Sequence, residues 1–444
     1  MFGVRTFSGG VFPPHAKHAT EHKAIETFAA PAKVVVPLSQ HIGAPAKAVV
    51  KPGDLVERGQ VLAEAAGHVS VPVHSPVSGK VLSIGPFPHP LGRDLPAVEI
   101  ENDGRDEGVD VTVALAPWEN CDAKALVQAV QAAGIVGLGG ATFPTHVKLS
   151  PPSGKTIDTF ILNGAECEPY LTADHRLMLE KTWEVVEGAL ILRKILGAHH
   201  AFFAIEINKP DAIAAVHKVL AEKHVRDMDI VRLRTKYPQG GEKQLINAVT
   251  GRQVPSGGLP MDCGCVVQNV GTALAVRNAV VRGEPLYERV VTVTGPTVAE
   301  PRNLLVRVGT PMRLLLEACR TDMKRTRKVV MGGPMMGLAQ ASLDAPVIKS
   351  TSGLLALDAT TPGEREYDCI WCGNCHRACP IHLVPSLLAK QVDRGYYDQA
   401  VDWGILDCME CGSCAYACPA KINLVHWVKL GKFHIQARRA AAKK

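Results

Sequence analysis

Eight of the chain's thirteen cysteines fall into two short runs near its C-terminal end. Both runs have the spacing C-x2-C-x2-C-x3-C-P. The first run contains Cys369, Cys372, Cys375 and Cys379, and the second contains Cys408, Cys411, Cys414 and Cys418. A cubic iron–sulfur cluster needs four thiolates at roughly tetrahedral corners, and thiolates at i, i+3 and i+6 let one loop cover a face of the cube. The two runs therefore predict two [4Fe-4S] clusters.

The fourth cysteine of each run is separated from the triplet by three residues and is followed by proline. In two-cluster ferredoxins, this cysteine ligates the other cluster. We therefore expect one cluster on Cys369, Cys372, Cys375 and Cys418, and the other on Cys408, Cys411, Cys414 and Cys379. Two four-cysteine zinc sites are the alternative, because they also use C-x2-C pairs. Helical periodicity in residues 385–397 favours a helical ferredoxin-like module.

The remaining composition excludes several classes of protein. The formal net charge is +6, and no basic stretch is interleaved with aromatics, so we expect no nucleic-acid partner. No apolar run reaches the roughly 18 residues of a membrane span, and the N-terminus lacks the apolar core of a signal peptide. We therefore expect a cytosolic or peripheral protein. Its other five cysteines and its scattered histidines suit packing roles, and no convincing nucleophile–histidine set is present.

A chain of 444 residues exceeds one ordinary core, so we expect several domains. The class is multidomain α/β. Residues 1–30 suit an irregular arm and residues 31–101 a β barrel-sandwich hybrid. Residues 115–280 alternate helix and strand, which predicts parallel βαβ units of a Rossmann-like domain. Residues 285–345 suit a β-grasp module, residues 360–425 the two-cluster domain and residues 426–444 a solvated basic tail.

The barrel-sandwich stretch resembles biotinyl and lipoyl domains. It contains short β runs separated by turns such as Pro52-Gly53-Asp54 and Ser78-Gly79. Carrier domains present a lysine at a hairpin tip, but the corresponding turn here, Gly67-His68, has none. We therefore expect a structural role for this domain.

Four polar, glycine-containing loops follow in the α/β region. They are residues 137–148, with Gly137, Gly139 and Lys148; residues 163–169, with Asn163 and Glu166; residues 237–242, with Tyr237, Gly240 and Glu242; and residues 268–272, with Gln268 and Asn269. Glycines allow close backbone approach to a ligand, and ligands in parallel sheets bind where strands end. The loops predict a cofactor pocket.

These loops resemble the flavin- and NADH-binding subunit of respiratory complex I. With the arm Ser8-Gly9-Gly10, the barrel-sandwich and the doubled cysteine motif, the chain resembles the RnfC family of the Rnf electron-transport complexes over roughly residues 3–425. The resemblance implies non-covalent FMN, NADH as substrate and an SLBB-type β-grasp domain. It also implies hydride transfer from NADH to FMN, followed by one-electron transfer to the two clusters.

The same resemblance implies the pocket residues. Gly137, Gly139 and Lys148 match positions that hold the flavin's phosphate and ring. Asn163, Glu166, Tyr237, Gly240, Glu242, Gln268 and Asn269 match further pocket positions, with Glu166 assigned to the nicotinamide carboxamide. No residue is implied as a catalytic acid or nucleophile.

The implied partners are the membrane and iron–sulfur subunits of the complex, and ferredoxin indirectly. The implied location is peripheral, on the cytoplasmic face of the bacterial inner membrane. Two alternatives stay open. One is a soluble flavin reductase of the cobalamin-reductase type. The other is a non-catalytic iron–sulfur relay, which is kept open by four departures from the complex I pattern, at Thr142, His146, Ala165 and Gly271.

Overall fold

The computed structural model describes residues 3–109, 115, 117–359 and 365–442. The first domain, which we call the two-sheet domain, packs two small antiparallel sheets around one apolar core. Its larger sheet contains Lys33–Pro37, Arg93–Asn102, Gly79–His89 and Leu55–Val56, in that order. Its smaller sheet contains Lys47–Ala48, Val61–Glu64 and Val73–His74. The last strand of this sheet is only two residues long.

The parallel-sheet domain follows. Its four strands lie in the order Asp229–Leu233, His200–Glu206, Thr159–Gly164 and Cys265–Asn269, and every pair is parallel. The strand that comes first in the chain is therefore central, and the chain reverses direction across the sheet between this strand and Cys265–Asn269. Such a reversal opens a crevice at the carboxyl ends of the strands, where ligands bind in open α/β sheets.

Helices cover both faces of this sheet. They are Ala123–Ala132, Thr145–Lys148, Ala173–Glu180, Thr182–Leu196, Pro210–Glu222, Glu242–Thr250 and Val270–Arg282. The side chains of the central strand alternate between faces. Phe160 and Leu162 pack into the larger core, whereas Ile161 packs against the helix Glu242–Thr250. Lys181 separates the consecutive helices Ala173–Glu180 and Thr182–Leu196.

The mixed-sheet domain has six strands and one main helix, Met312–Ala318, packed on its core. The strands lie in the order Ile25–Thr27, Arg302–Arg307, Glu288–Thr294, Gly353–Leu357, Lys328–Met331 and Leu338–Ala339. Two expectations differ from this arrangement. The arm contributes an edge strand, and the domain continues past residue 345 because the fully buried strand Gly353–Leu357 pairs with two others inside the sheet.

The cysteine domain is helical, as the sequence predicted. It contains Asn374–Ala378, Pro385–Asp393, Tyr397–Asp402, Ser413–Tyr416 and Leu424–Ala441. The last helix differs from the solvated tail expected beyond residue 425. Leu424, Val428 and Ile435 of this helix are buried, and Val428 and Ile435 pack against Leu388 and Val392. Recurrence at i, i+4 and i+11 marks one apolar helix face. No helix within the described residues is long and apolar enough to cross a membrane.

Candidate functional site

The carboxyl ends of the parallel strands bring most of the predicted pocket residues together. Asn163 lies near the end of the central strand, and Gln268 and Asn269 end the neighbouring one. The two strands pair directly, with Asn269 opposite Asn163. The sequence predicted this convergence because parallel strands share one carboxyl edge.

The glycine-rich loop is fixed to the beginning of the helix Val270–Arg282. The Leu138 amide donates to the Thr272 hydroxyl over 3.0 Å, and the Gly137 amide donates to the Phe143 carbonyl over 2.9 Å. A Cβ on Gly139 would lie only 2.7 Å from Nδ2 of Asn269. Glycine at position 139 is therefore required for the loop to approach the helix end.

Asn269 caps this helix and orients its first turn. Its side-chain oxygen accepts from the Gly271 amide over 2.8 Å, and its Nδ2 donates to Asp174 over 2.7 Å. A capped helix N-terminus favours an anion because its backbone amides and dipole are positive there. The loop and the helix end therefore form an environment suited to a phosphate.

Lys148 supplies a cation at the same edge. Its ammonium donates to Oε1 of Glu242 over 2.6 Å and to the carbonyl of Val267 over 2.8 Å. The lysine side chain is 22% exposed and the glutamate 39%. An ammonium has three donors, so one donor stays available to a ligand.

A second group of amides lies deeper in the crevice. Asn163 Nδ2 donates to the Gly240 carbonyl over 2.9 Å, and a Cβ on Gly240 would meet the Ala165 carbonyl at 2.3 Å. Gln268 is 2% exposed, and its buried Nε2 has no hydrogen-bond partner among the residues that the structure describes. A buried orphan donor costs free energy unless a ligand pairs with it. Together with Lys148 and the helix end, these groups fit a phosphorylated ligand with an amide-bearing ring, such as FMN.

Glu166, which the resemblance assigns to the nicotinamide carboxamide, contacts a helix end and the arm in the structure. Its carboxylate is buried and accepts from the amides of Asp174 and His175 at the beginning of the helix Ala173–Glu180, over 2.9 and 3.4 Å. Lys17 of the arm lies 3.8 Å away. Glu166 therefore stabilises a helix end and an arm contact.

Asp174 is a site residue that the sequence did not single out. Burial, followed by the charge of Glu166, raises its pKa to about 7. It bonds to Asn269 and lines one cavity together with Leu138 and Gly271. The available signal was an acid in the first turn of a helix that follows a glycine-containing loop.

The resemblance implies that Tyr237 is a pocket residue, but its side chain makes its contacts elsewhere. Its ring is 1% exposed, and its hydroxyl donates to the backbone carbonyl of Cys411 over 2.7 Å. Burial raises the pKa of this hydroxyl, so it remains a protonated donor. The backbone of Tyr237 pairs with Val11 of the arm in both directions. The side chain therefore faces the cysteine domain.

The first cysteine group encloses a cavity of about 260 Å³. Its thiols are those of Cys369, Cys372, Cys375 and Cys418. Cys418 belongs to the second sequence run, so the cavity has the crossed composition that the sequence predicted. Its other lining residues include Ile370, Trp371, Pro419, Ile422 and Leu424.

The second cysteine group contains Cys408, Cys411, Cys414 and Cys379. Burial raises the pKa of the Cys414 thiol, and the charges of the other three cysteines raise it further. Such an effect requires the four sulfurs to lie near one another. Cys379 comes from the first run, which completes the exchange between runs.

The two runs share backbone conformation at matched positions. Trp371 and Glu410 both have left-handed φ, at 57° and 58°. The pair Gly373 and Gly412 has φ of 74° and 83°, and the pair His382 and Lys421 has 58° and 57°. Left-handed conformations at three matched pairs show that both loops wrap their cavities in the same way.

The surroundings of the cysteines allow the zinc alternative to be compared with a cubic cluster. Among the described residues, no three His, Cys, Asp or Glu side chains are arranged to hold a single metal ion. A zinc ion needs sulfurs at about 2.3 Å, whereas the first group surrounds a cavity of about 260 Å³. A cavity of this volume, lined by four cysteines, suits a cubic cluster better than one ion.

The Gly67-His68 turn of the two-sheet domain contacts the glycine-rich region. The carbonyl of His68 lies 3.2 Å from Nε2 of His146, and the Ile42 amide donates to the Thr142 carbonyl over 3.3 Å. The turn that holds a lysine in carrier domains is thus packed against a neighbouring domain, which supports the structural role.

Comparisons with known families match three parts of the chain. The model of the Nuo51 FMN-binding domain matches residues 130–278, the RnfC barrel sandwich hybrid domain matches residues 5–105, and the 4Fe-4S dicluster domain matches residues 362–419. With the geometry above, these matches define a flavin- and iron–sulfur-containing electron-transfer protein with a multidomain α/β fold.

Three relatives match over nearly the whole chain. A subunit of the proton-translocating ferredoxin:NAD(+) oxidoreductase complex of Clostridium ljungdahlii is 48% identical, over 96% of this chain and 93% of that protein. Its Na(+)-translocating counterpart from Acetobacterium woodii is 45% identical, over 98% of both. The corresponding subunit of an ion-translocating oxidoreductase complex from Rhodobacter capsulatus is 42% identical, over 99% of this chain and 84% of that one. The chain belongs to the RnfC family, whose members are subunits of ion-translocating ferredoxin:NAD(+) oxidoreductase complexes.

A more distant likeness concerns the fold alone. A chain of an NAD+-reducing [NiFe]-hydrogenase in its H2-reduced state superposes with a TM-score of 0.51 at 20% identity. The likeness covers 73% of this chain and 63% of the hydrogenase chain. The arrangement of domains is therefore shared beyond the family.

Proposed function

We propose that this chain is the peripheral NADH-oxidising subunit of an ion-translocating membrane complex. It passes electrons from NADH through FMN to two [4Fe-4S] clusters and couples NADH and ferredoxin redox chemistry to ion movement. The observation that carries this proposal is the presence in one chain of a phosphate-suited crevice and two crossed four-cysteine groups. The 42–48% identity to proteins of complexes named as oxidoreductases supports it.

FMN, when bound, supplies the hydride-accepting ring and the change from two-electron to one-electron chemistry. The residues of this chain bind and orient it. Lys148 and the beginning of the helix Val270–Arg282 would hold its phosphate. Asn163 and Gln268 would supply amide donors to the ring, and Gly139 and Gly240 would allow its close approach. Glu242 orients Lys148.

Among the described residues, no side chain is assigned as a proton donor for the hydride step. Glu166 acts indirectly in this proposal, because its carboxylate is occupied by the Asp174 and His175 amides. Asp174 stands nearer the crevice through its bond to Asn269. We therefore assign Asp174 to positioning of the Asn269 amide.

The eight cysteines hold the clusters as two crossed groups. The first group is Cys369, Cys372, Cys375 and Cys418, and the second is Cys408, Cys411, Cys414 and Cys379. The matched left-handed positions in the two loops support equivalent wrapping of two equivalent clusters.

The finer domain assignments also belong to this proposal. We assign the parallel-sheet domain to the Rossmann-like class because of its reversed strand order. We assign the mixed-sheet domain to the SLBB β-grasp class. Its last strand extends the boundary from residue 345 to about 357, and the last helix extends that of the cluster domain from 425 to about 441.

We propose a location on the cytoplasmic face of the inner membrane, docked on membrane and iron–sulfur subunits. Relatives named for proton and for Na+ translocation are similarly close, at 48% and 45% identity. We infer that ion choice is made by other subunits. The whole-length relatives favour this complex over a soluble cobalamin-type reductase.

Anaerobic purification followed by metal and flavin analysis tests the proposal. The expected composition is about eight irons and eight sulfides in two [4Fe-4S] clusters, with one FMN released by denaturation. If the purified chain contains iron but no flavin, even after incubation with FMN, the non-catalytic iron–sulfur relay would be the remaining function. Zinc in place of iron and sulfide would remove the electron-transfer function altogether.

A further inference from the structure

We propose that the second cysteine group receives electrons from the flavin site before the first group does, and that Tyr237 is the positioning residue at this junction. This inference rests on the proposed function. The inference adds to that function the order of the two cysteine groups and a role for Tyr237 outside the flavin pocket.

Tyr237 belongs to the same loop as Gly240, whose carbonyl holds Asn163 in the crevice. Its hydroxyl reaches the backbone carbonyl of Cys411, a ligand of the second group, over 2.7 Å. One short loop therefore contacts the crevice through its backbone and the second cysteine group through its side chain. No other pocket residue predicted from the sequence bonds to the cysteine domain among the described hydrogen bonds.

Further contacts hold the rest of the second run against the parallel-sheet domain. The carboxylate of Asp407, next to Cys408, accepts from the Ser256 hydroxyl over 2.5 Å and the Gly257 amide over 3.0 Å. A Cβ on Gly241 would lie 2.8 Å from Cε of Met409. The loop that precedes Cys411 is thus packed on the domain that contains the crevice.

The fourth ligand of this group, Cys379, is held from the other side. The Gly10 amide donates to the Ala378 carbonyl over 2.9 Å, and Gln244 Nε2 lies 3.4 Å from the Pro380 carbonyl. Gly9 has φ of 77°, and a Cβ there would lie 2.6 Å from the Cys379 carbonyl. The arm therefore lies between the Tyr237 loop and the end of the first cysteine run.

A turn of the mixed-sheet domain lies against the second cysteine loop, and Glu168 of the parallel-sheet domain holds that turn in place. The Glu168 carboxylate accepts from the amides of Met335 and Met336 over 3.0 and 2.9 Å. A Cβ on Gly412 would lie 2.9 Å from the Met335 carbonyl. The Cys411–Gly412 segment is consequently clamped between Tyr237 on one domain and Met335 on another.

The first group has the opposite surroundings. Every described residue that lines its cavity lies between Cys369 and Leu424, within the cysteine domain itself. Cys372 is exposed, and Ile370 and Trp371 are 68% and 65% exposed. Tyr367 is 60% exposed. The first group therefore opens to solvent, away from the crevice.

From these surroundings follows the order in which electrons reach the two cysteine groups. Oxidation of NADH to NAD+ releases two electrons and one proton. With both clusters in place, the second group would take up each electron singly and the first group would then receive it. The electron would leave at the open face to a one-electron iron–sulfur or flavin partner, so two partner molecules would be reduced per NADH.

Two cysteine variants of the whole chain test the order. Cys372→Ser removes the first group's cluster and Cys408→Ser removes the second, each verified by the loss of about four irons. Freeze-quench EPR after mixing with NADH then follows the cluster that remains. In Cys372→Ser the remaining signal develops at the wild-type rate. In Cys408→Ser the signal of the remaining cluster develops at least about tenfold more slowly, which corresponds to about 1.4 kcal/mol in the barrier. Dithionite still produces that signal in full.

The opposite pattern, or equal wild-type rates in both variants, would overturn the order. If the wild-type chain itself shows no flavin bleaching with NADH, the proposed function fails instead of the order. The two failures are thereby distinguished in one experiment.

Tyr237→Phe tests the positioning role, with Tyr416→Phe as the control because Tyr416 is 47% exposed and lies two residues from ligands of both groups. The loss of one buried hydrogen bond predicts cluster reduction about three- to tenfold slower in Tyr237→Phe. Flavin bleaching by NADH stays at the wild-type rate. The EPR line shape changes only for the signal that Cys408→Ser abolishes. A change in the other signal, or slowed bleaching with both signals intact, would contradict the assignment.

Discussion

Lys148 and Glu242 form an ion pair of 2.6 Å at the mouth of the crevice, one from the last turn of a helix and one from the first turn of another. The glutamate is favoured there by the positive end of its own helix. Because both side chains are partly exposed, the pair itself contributes little to stability. Its effect is to hold the ammonium at the crevice, where we propose that it meets an incoming anion.

We expect Lys148→Met to weaken FMN binding. A charge-assisted hydrogen bond contributes about 1.5–3 kcal/mol, so the dissociation constant rises about ten- to hundredfold. Quenching of flavin fluorescence on titration with FMN measures this constant. Lys155→Met is the matched control, since Lys155 pairs with Asp262 in the same domain. An equal loss in both variants would show that Lys148 has no specific role.

The glycine-rich loop offers a paired test. Alanine at position 139 would place its Cβ 2.7 Å from Nδ2 of Asn269, whereas position 140 faces open space. Gly139→Ala is expected to displace the Asn269 cap at a cost of about 1–3 kcal/mol and to lower the flavin content of the purified chain. Gly140→Ala is expected to retain it. Equal flavin contents would mean that the loop approaches the helix end without functional consequence.

The crossed ligation predicts which cluster is damaged when the fourth cysteine of each run is replaced. Cys418→Ala should perturb the EPR signal that Cys372→Ser removes, and Cys379→Ala the signal that Cys408→Ser removes. The physical reason is that a fourth thiolate completes the cluster of the opposite run. If Cys418→Ala disturbed only the cluster of its own run, the pairing would be uncrossed.

Lys349 joins three domains at one buried point. Its side chain is 1% exposed, and its ammonium donates to the Gly134 carbonyl over 2.7 Å and to the Pro72 carbonyl over 3.3 Å. Gly134 follows the first helix of the parallel-sheet domain, and Pro72 belongs to the two-sheet domain. Burial lowers the pKa of Lys349 to about 7 from its ordinary value of 10.5.

This pKa predicts a pH-dependent stability. Between pH 7 and 10.5 the unfolded lysine binds a proton that the folded one releases, so stability rises with pH through this window. It falls as pH drops toward 7, where the buried ammonium is charged. The Tm should therefore rise by about 3 °C from pH 7.5 to 9.5, and Lys349→Met should flatten that rise. Calorimetry at the two pH values measures it, and an unchanged slope in the variant would place the titration elsewhere.

The crossed cysteine pairing and the convergence of the loops could both be predicted from the sequence, because both follow from local rules. The C-x2-C-x2-C spacing dictates a wrapped loop, and parallel strands must end at one edge. Asn163, Gln268 and Asn269 lie at that edge, whereas their assignment as pocket residues came from the resemblance.

The roles of Glu166 and Tyr237 could not be predicted in the same way. Their positions in the chain match pocket loops, but their side-chain directions depend on contacts with distant segments. Lys17 of the arm lies against Glu166, and Cys411 accepts from Tyr237. Similarly, the buried face of the C-terminal helix was obscured by its many basic residues, although Leu424, Val428 and Ile435 had helical spacing.

Anaerobic mixing of the whole chain with NADH tests the central claim most directly. Flavin absorbance and cluster EPR are followed in the same sample, with NADH as the only reductant. The account predicts bleaching of the flavin followed by the appearance of reduced-cluster signals. A chain that contains flavin and both clusters but shows no bleaching with NADH would contradict it.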